Sequence, residues 1–330
     1  MRLARRGFLG GTACLAAAAF AGPAFARGLA SYPRPTDERL IDVPGGRAYV
    51  RIDGRLDSPL PPAVFIHGGP GVNHASLLEA VALADQRAVV LYDQLDCGRS
   101  DRPGDPANWT VPRFVAELEA IRTALGISRW HVFGHSWGGT IALEHAATQG
   151  PRVASVVLAG PLISTRSWIA DAAVLRDTMP GDVRRGLAAC DVAPAARDCQ
   201  AATAAYYRRH LSREPASEAM LAYIGEDPRL AFNAEVYQAM WGPSEFIATG
   251  VLRDYDGEPL LARLPGGRTL FLGGEYDEAR PDTLAGFAAR TPGAQVATIA
   301  GAGHALLGDR PKETCALAGD WFARHDGGPP

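Results

Sequence analysis

The sequence has 330 residues, of which 47% are hydrophobic, with 33 basic and 36 acidic side chains. That is enough for one large domain or a domain carrying an insertion. Lys312 is the sole lysine and the arginines are scattered, so no basic stripe marks a nucleic-acid partner.

The first 26 residues read as a leader. Arg5 and Arg6 precede an apolar run over 8–20, and Ala24-Phe25-Ala26 supplies a small-x-small cleavage site. The pattern resembles a twin-arginine export signal and predicts a periplasmic or secreted protein that meets the twin-arginine export machinery in transit. Pro23 and several glycines interrupt the run, which falls short of the roughly 20 continuous apolar residues of a membrane span. No stable membrane insertion is expected after processing. Without Arg2, Arg5 and Arg6 the 33 basic residues become 30 against 36 acidic, a net charge of −6.

Cys97, Cys190, Cys199 and Cys315 follow the leader. In an oxidising compartment Cys190 and Cys199 are close enough in sequence to close a short loop, whereas Cys97 and Cys315 read as free and buried. No CxxC or HExxH spacing occurs, so no dedicated metal site is expected.

In chain order, residues 40–43 and 47–51, joined through Pro44-Gly45-Gly46, read as an opening hairpin. Short apolar runs at 63–66, 88–92, 130–133 and 153–158 suit buried parallel strands. Between them, 76–84, 113–125 and 140–148 read as helices. The alternation predicts a doubly wound, mainly parallel α/β sheet. From 162 to about 257 the pattern breaks. No buried strand is evident there, and 168–176, 201–210, 217–224 and 234–240 look helical. Strand-like runs resume at 269–272 and 295–299, and a helix over 314–324 ends the chain. An all-helical insertion between strands of one sheet predicts a cap over its carboxyl edge, where α/β ligands bind. The expected division is a leader at 1–26, a core at 27–161 and 258–330, and a cap at 162–257.

Three strand-end turns carry the candidate chemistry. Gly134-His135-Ser136-Trp137-Gly138 places a serine in a Gly-x-Ser-x-Gly frame between a strand and a helix. Such a turn strains the serine backbone and leaves no room for side chains on its glycines. His67-Gly68-Gly69-Pro70-Gly71 can bring backbone N–H groups close to a ligand, so the N–H groups of Gly69 and Trp137 are the candidate oxyanion donors. A serine also needs a base, and the base an acid. His304 follows the last strand in Gly301-Ala302-Gly303-His304, completing the order serine, acid, histidine. Asp277 is the expected acid, with Glu275 its rival two residues away; His67 and His135 are expected to shape the site.

Together HGGPG at His67, YDQLDCGRS at Tyr92, GHSWGG at Gly134, GEYDE at Gly274 and GH at Gly303 resemble the proline iminopeptidase family of α/β-hydrolases. The segments MWGPSEF (240–246) and TGVLRDYD (249–256) resemble the cap of the tricorn-interacting aminopeptidases in particular. The resemblance implies an α/β-hydrolase fold with an inserted helical cap and acyl transfer without a cofactor. In those relatives acidic residues of the cap and of the turn after the catalytic aspartate bind the substrate's α-ammonium; the matching positions are Glu245 and Glu278. Trp241 and Trp137 would wall a pocket for an apolar or prolyl ring, with a core role the alternative for Trp241. Where relatives usually have glycine in DQxGCGRS this chain has Asp96, which would add to the ammonium-binding field or face solvent.

The expected activity is that of a serine exopeptidase releasing an N-terminal proline or another small or apolar residue from a short peptide or amino acid amide. An esterase or amidase without an amine requirement is the alternative. A non-catalytic binding protein on the same scaffold would usually lack a triad member, and serine rather than aspartate at the elbow disfavours an epoxide hydrolase or dehalogenase.

Overall fold

The computed structural model describes residues 28–191 and 196–327; the expected leader lies outside the described residues. The chain opens with a hairpin, β1 (Asp37–Val43) and β2 (Gly46–Asp53), then β3 (Ala63–Ile66), β4 (Val89–Tyr92), α1 (Val111–Ala124), β5 (Trp130–His135), α2 (Trp137–Thr148) and β6 (Val153–Ala159). Five helices follow: α3 (Thr165–Asp177), α4 (Gly181–Cys190), α5 (Arg197–His210), α6 (Glu218–Gly225) and α7 (Ala234–Met240). The sheet resumes with β7 (Thr269–Gly274), α8 (Pro281–Ala289) and β8 (Gln295–Ile299), and α9 (Leu306–Asp309) and α10 (Pro311–Arg324) close the fold.

The eight strands form one sheet in the order β1-β2-β4-β3-β5-β6-β7-β8. The β1–β2 and β2–β4 pairs are antiparallel, and all later pairs are parallel. Alternation along the strands splits the interior into two cores, because successive side chains point to opposite faces. Val64, Ile66, Val132, Val156 and Leu158 pack with Phe114 and Leu118 of α1 and Ile141 of α2. On the other face Phe65, Phe133, Val157 and Leu272 pack with Leu78 and with Trp321 and Phe322 of α10. The central strands are therefore continuous apolar runs, while the edge strands β1 and β8 mix buried and exposed positions.

Three local expectations change. The segment expected as an α-helix at 76–84 is a 3-10 helix, His74–Leu83, started by the Asn73 side chain accepting from Ala75 N–H. Eight of its ten residues are buried, so packing on almost every side, rather than one helical stripe, sets its geometry. Helices α4 and α8 were not evident in the sequence. The described turns of α4 bury only Gly186, Leu187 and Cys190, and those of α8 only Leu284 and Phe287, too few to give a periodic signal.

The helical insertion has a small core of its own, with Leu175, Leu187, Ala202, Tyr206 and Phe246. A disulfide between Cys190 and Cys199 ties α4 to α5. Cys97 and Cys315 are free and buried. The insertion docks on the core through backbone, with His304 and Ala305 N–H donating to the His210 and Leu211 carbonyls and Asn233 N–H to that of Gly71, and through side chains. The hydroxyl of Tyr223 on α6 meets His74 Nε2 at 2.8 Å, and Asp171 on α3 accepts from Arg280 N–H and the Thr283 hydroxyl. No helix among the described residues is long and apolar enough to cross a membrane.

Candidate active site

Ser136 stands between β5 and α2 with φ 57°, a left-handed conformation that a residue with a Cβ adopts only when its surroundings impose it. Its neighbours show how it is imposed. A Cβ on Gly134 would come 2.3 Å from the Gly138 carbonyl oxygen, and one on Gly138 would come 2.2 Å from that of Ile66. The frame glycines are thus required by backbone contact, and the turn cannot relax without opening the β5–α2 packing. Ser136 N–H donates to the Ala159 carbonyl at the end of β6.

The acid and the histidine meet as expected. His304 Nδ1 lies 2.7 Å from Asp277 Oδ1, and the same carboxylate accepts from the Gly274 and Ala279 N–H groups. Those donors fix the Asp277 side chain, leaving the Nε2 edge of His304 for another partner. Glu275, the rival acid, is exposed and accepts from Gly301 N–H instead. A Cβ on Gly160, directly after β6, would be 2.8 Å from His304 Nδ1 and 3.0 Å from Asp277 Oδ2. The end of β6 therefore touches both the Ser136 turn and the Asp277–His304 pair. Burial disfavours charge on His304, but the Asp277 charge and hydrogen bond, with a smaller contribution from Glu245, outweigh it and raise its pKa above 6.5.

Gly68 and Gly69 bring the second turn against the serine. A Cβ on Gly68 would come 2.7 Å from Ser136 Cβ, and Gly69 has φ 106°. Gln94, within the YDQ segment, locks the two turns together: its amide donates to the His67 carbonyl, and its Oε1 accepts from Trp137 Nε1. His67 and His135 both lie against these turns. Gln94 N–H donates to His67 Nε2, and His135 Nε2 lies 2.8 Å from the His304 carbonyl oxygen. Burial, the leading cause in each case, lowers both imidazoles to a pKa of about 4, which keeps them neutral at ordinary pH.

Glu278 is buried and Glu245 partly buried beside this arrangement. Glu245 accepts from the Tyr237 hydroxyl at 2.7 Å, and its N–H donates to the Tyr207 hydroxyl. Neither carboxylate oxygen of Glu278 has a hydrogen-bond partner among the described residues. Burial, then the charges of Glu245 and Asp277, push its pKa well above 4.5. Two acids from distant segments thus act on each other in a buried space, one of them with all its acceptor capacity unused.

The tryptophans and Asp96 depart from expectation. The Trp137 ring is fully buried, edge-on to Phe114 and bonded to Gln94, because it is the first residue of α2 and points into the α1–α2 core. Trp241 takes the core alternative, with its Nε1 donating to the Ser244 carbonyl. The aromatic that meets His304 is Trp168 on α3, 5.3 Å away edge-on, and its Nε1 holds the Glu245 carbonyl. Asp96 neither faces solvent nor joins the acids: it is buried and accepts from Gly104 N–H and Trp109 Nε1. With φ 66° it occupies a left-handed position that glycine or aspartate tolerates.

The profile of the alpha/beta hydrolase fold matches residues 61–311. A proline iminopeptidase of Heyndrickxia coagulans is 34% identical over 288 residues, covering 86% of this chain and 98% of the relative. Another, from Levilactobacillus brevis, is also 34% identical, over 85% of this chain and 94% of its own length. The chain belongs to the proline iminopeptidase family of α/β-hydrolases. Among solved structures, the proline iminopeptidase of Mycobacterium smegmatis superposes with a TM-score of 0.77 at 30% identity, covering 88% of this chain and 99% of that one. VinJ gives 0.78 at 30% identity with the same coverage. In this family frame the β5–α2 serine turn, the Asp277–His304 pair and the two acids all lie within or beside the matched region.

Proposed function

We propose that this hydrolase is a serine aminopeptidase that releases an N-terminal proline or another small or apolar residue from short peptides or amino acid amides. The Ser136 hydroxyl attacks the carbonyl while His304 Nε2 takes its proton, with Asp277 holding the imidazole. The N–H groups of Gly69 and Trp137 stabilise the oxyanion. His304 then passes the proton to the leaving amine, and water attacks the acyl-serine to free the amino acid and restore the hydroxyl. Residues 162–257 act as the cap, and Glu245 and Glu278 hold the substrate's α-ammonium. The disulfide between Cys190 and Cys199 supports a periplasmic or secreted location, because such bonds persist in oxidising compartments; the twin-arginine route rests on the sequence of residues 1–26 alone.

One observation carries the reading: a buried carboxylate, Glu278, with both oxygens unpartnered among the described residues and a second, partly buried acid acting on it. Burying one carboxylate without a donor is costly, and two repel, unless a cation completes the site. The names of the family relatives support an amine-bearing prolyl substrate. The test compares kcat/KM on a prolyl naphthylamide with that on its N-acetylated form. Cleavage only of the free amine is expected; equal rates would make the protein an esterase or amidase without an amine requirement.

A further inference from the structure

The loop that carries His304 is held by groups that no step of the proposed mechanism uses. At the end of α5, where a helix leaves carbonyls without helical partners, His210 and Leu211 accept from the N–H groups of His304 and Ala305 at 2.8 and 2.7 Å. A Cβ on Gly303 would come 2.9 Å from the His210 carbonyl oxygen, so this glycine lets the two segments touch. The His210 ring reaches the acid-bearing turn as well: its Nδ1 lies 2.8 Å from the carbonyl oxygen of Tyr276, the residue before Asp277. A carbonyl only accepts, so Nδ1 carries the proton. Burial, the leading cause, holds the pKa of this imidazole below 6.5.

Asp309 completes the contact. It is the last residue of α9 and is fully buried. Its Oδ1 accepts from the Arg213 and Glu214 N–H groups at 2.9 and 3.0 Å, and its Oδ2 accepts from Gly303 N–H at 2.8 Å. One carboxylate therefore joins the segment leaving α5 to the residue directly before His304. Three converging backbone donors call for a group that only accepts, as a carboxylate does. An amide in its place offers one oxygen and turns its own N–H toward one of the donors.

We propose that Asp309 is a positioning residue through which the docked insertion seats the base, so that His304 is competent only while residues 210–214 are bound to its loop. The proposal rests on the reading of His304 as the base of acyl transfer. Displacing a catalytic group by about 1 Å costs on the order of a hundredfold in rate, so a loop this firmly held has a kinetic consequence. An electrostatic one accompanies it. Burial disfavours charge on His304, and the acids that counter it are Asp277, Glu245 and Asp309. The neutral His135 ring lies 4.7 Å from His304, and Arg213, Glu214 and Arg310 flank Asp309, the last two as an ion pair at 3.0 Å. Removing the Asp309 charge lowers the His304 pKa, and the neutral base then persists to lower pH.

The experiment follows labelling of Ser136 by a serine-directed phosphonate against pH, with kcat and KM on a prolyl naphthylamide, in the native protein, Asp309→Asn and Tyr223→Phe. The last removes a different insertion contact, the bond to His74, which touches neither the acid nor the base loop. In Asp309→Asn, kcat and the plateau labelling rate should fall by about tenfold to a hundredfold with KM unchanged, and the acid limb should move to lower pH. Tyr223→Phe should leave rate and limb as they are. A folded Asp309→Asn that labels at the native rate with an unmoved limb overturns the proposal. An equal loss in Tyr223→Phe also overturns it, since docking in general would then be the cause. If Asp309→Asn does not fold, as judged by its thermal transition, hydrogen exchange in the native protein decides. The amides of Arg213, Glu214, Gly303, His304 and Ala305 should open as one unit, and independent exchange of 303–305 and 213–214 overturns the proposal. A native protein that neither labels at Ser136 nor cleaves the naphthylamide overturns the acyl-transfer reading itself, and the proposal with it.

Discussion

The strand-end turns and the helical insertion both reach His304, yet they are built by different means. Gly134, Gly138 and Gly274 are held by contacts with neighbouring backbone at distances no added side chain can enter. The insertion presents Trp168, Tyr237 and Glu245 from α3, α7 and the loop after it, and side-chain hydrogen bonds, edge-on rings and one disulfide join the backbone bonds from His304 and Ala305 N–H to the His210 and Leu211 carbonyls in holding it. The first construction fixes positions within tenths of an ångström; the second can be re-tuned by single substitutions. On the proposed mechanism, bond-breaking geometry belongs to the first, while substrate choice is shared between Glu278 in the turn after β7 and Glu245 in the insertion.

Four substitutions or treatments sharpen that division. Asp277→Asn keeps the shape but favours the wrong His304 tautomer, so kcat should fall by roughly 10⁴-fold on every substrate, read by steady-state kinetics. Glu278→Gln removes one charge-assisted contact worth roughly 1.5–3 kcal/mol. That should lower kcat/KM on free-amine substrates by about tenfold to a hundredfold while labelling of Ser136 by a serine-directed phosphonate continues. If both changes hit labelling equally, bond breaking and amine recognition are not separate tasks of the turn after β7.

A subtler effect runs between them. Neutral His304 is the form that takes a proton, so reactivity falls as pH drops through its pKa, which lies above 6.5. Glu245 helps raise that value, so Glu245→Gln should move the acid limb of phosphonate labelling to lower pH. An unmoved limb would remove Glu245 from the electrostatics of the base. Smallest of all, opening the Cys190–Cys199 bond relaxes a short loop and should cost about 2–3 kcal/mol of stability. The loss should appear as a lower thermal transition with dithiothreitol, and amine selectivity should fall before Ser136 reactivity does.

The strands and the serine, acid and histidine were legible in the sequence because each follows a buried apolar run and is flanked by glycine, a local pattern with a local cause. Glu245 and Glu278 were legible only through family resemblance, since nothing local distinguishes them from surface acids. Trp168 and Tyr237 were missed because the facing of helices in an insertion is decided by packing between segments. Asp96 misled for a related reason: a carboxylate in a loop reads as solvent-facing or functional, and here a buried indole and an amide claim it. Gly160 was the readable miss, lying beside Pro161 at the end of a buried strand.

If Glu245 and Glu278 hold the substrate's ammonium as proposed, the site also trades in hydrogen ions. Repulsion between neighbouring carboxylates is relieved when one of them binds a proton, and Glu278, with its pKa well above 4.5, is the one to do so. On the proposed role, an arriving ammonium gives the same relief and makes that proton unnecessary, so docking of an amine should expel it to the buffer. Affinity for the substrate's amino end therefore strengthens as the medium becomes less acidic, until the amine itself begins to lose its charge.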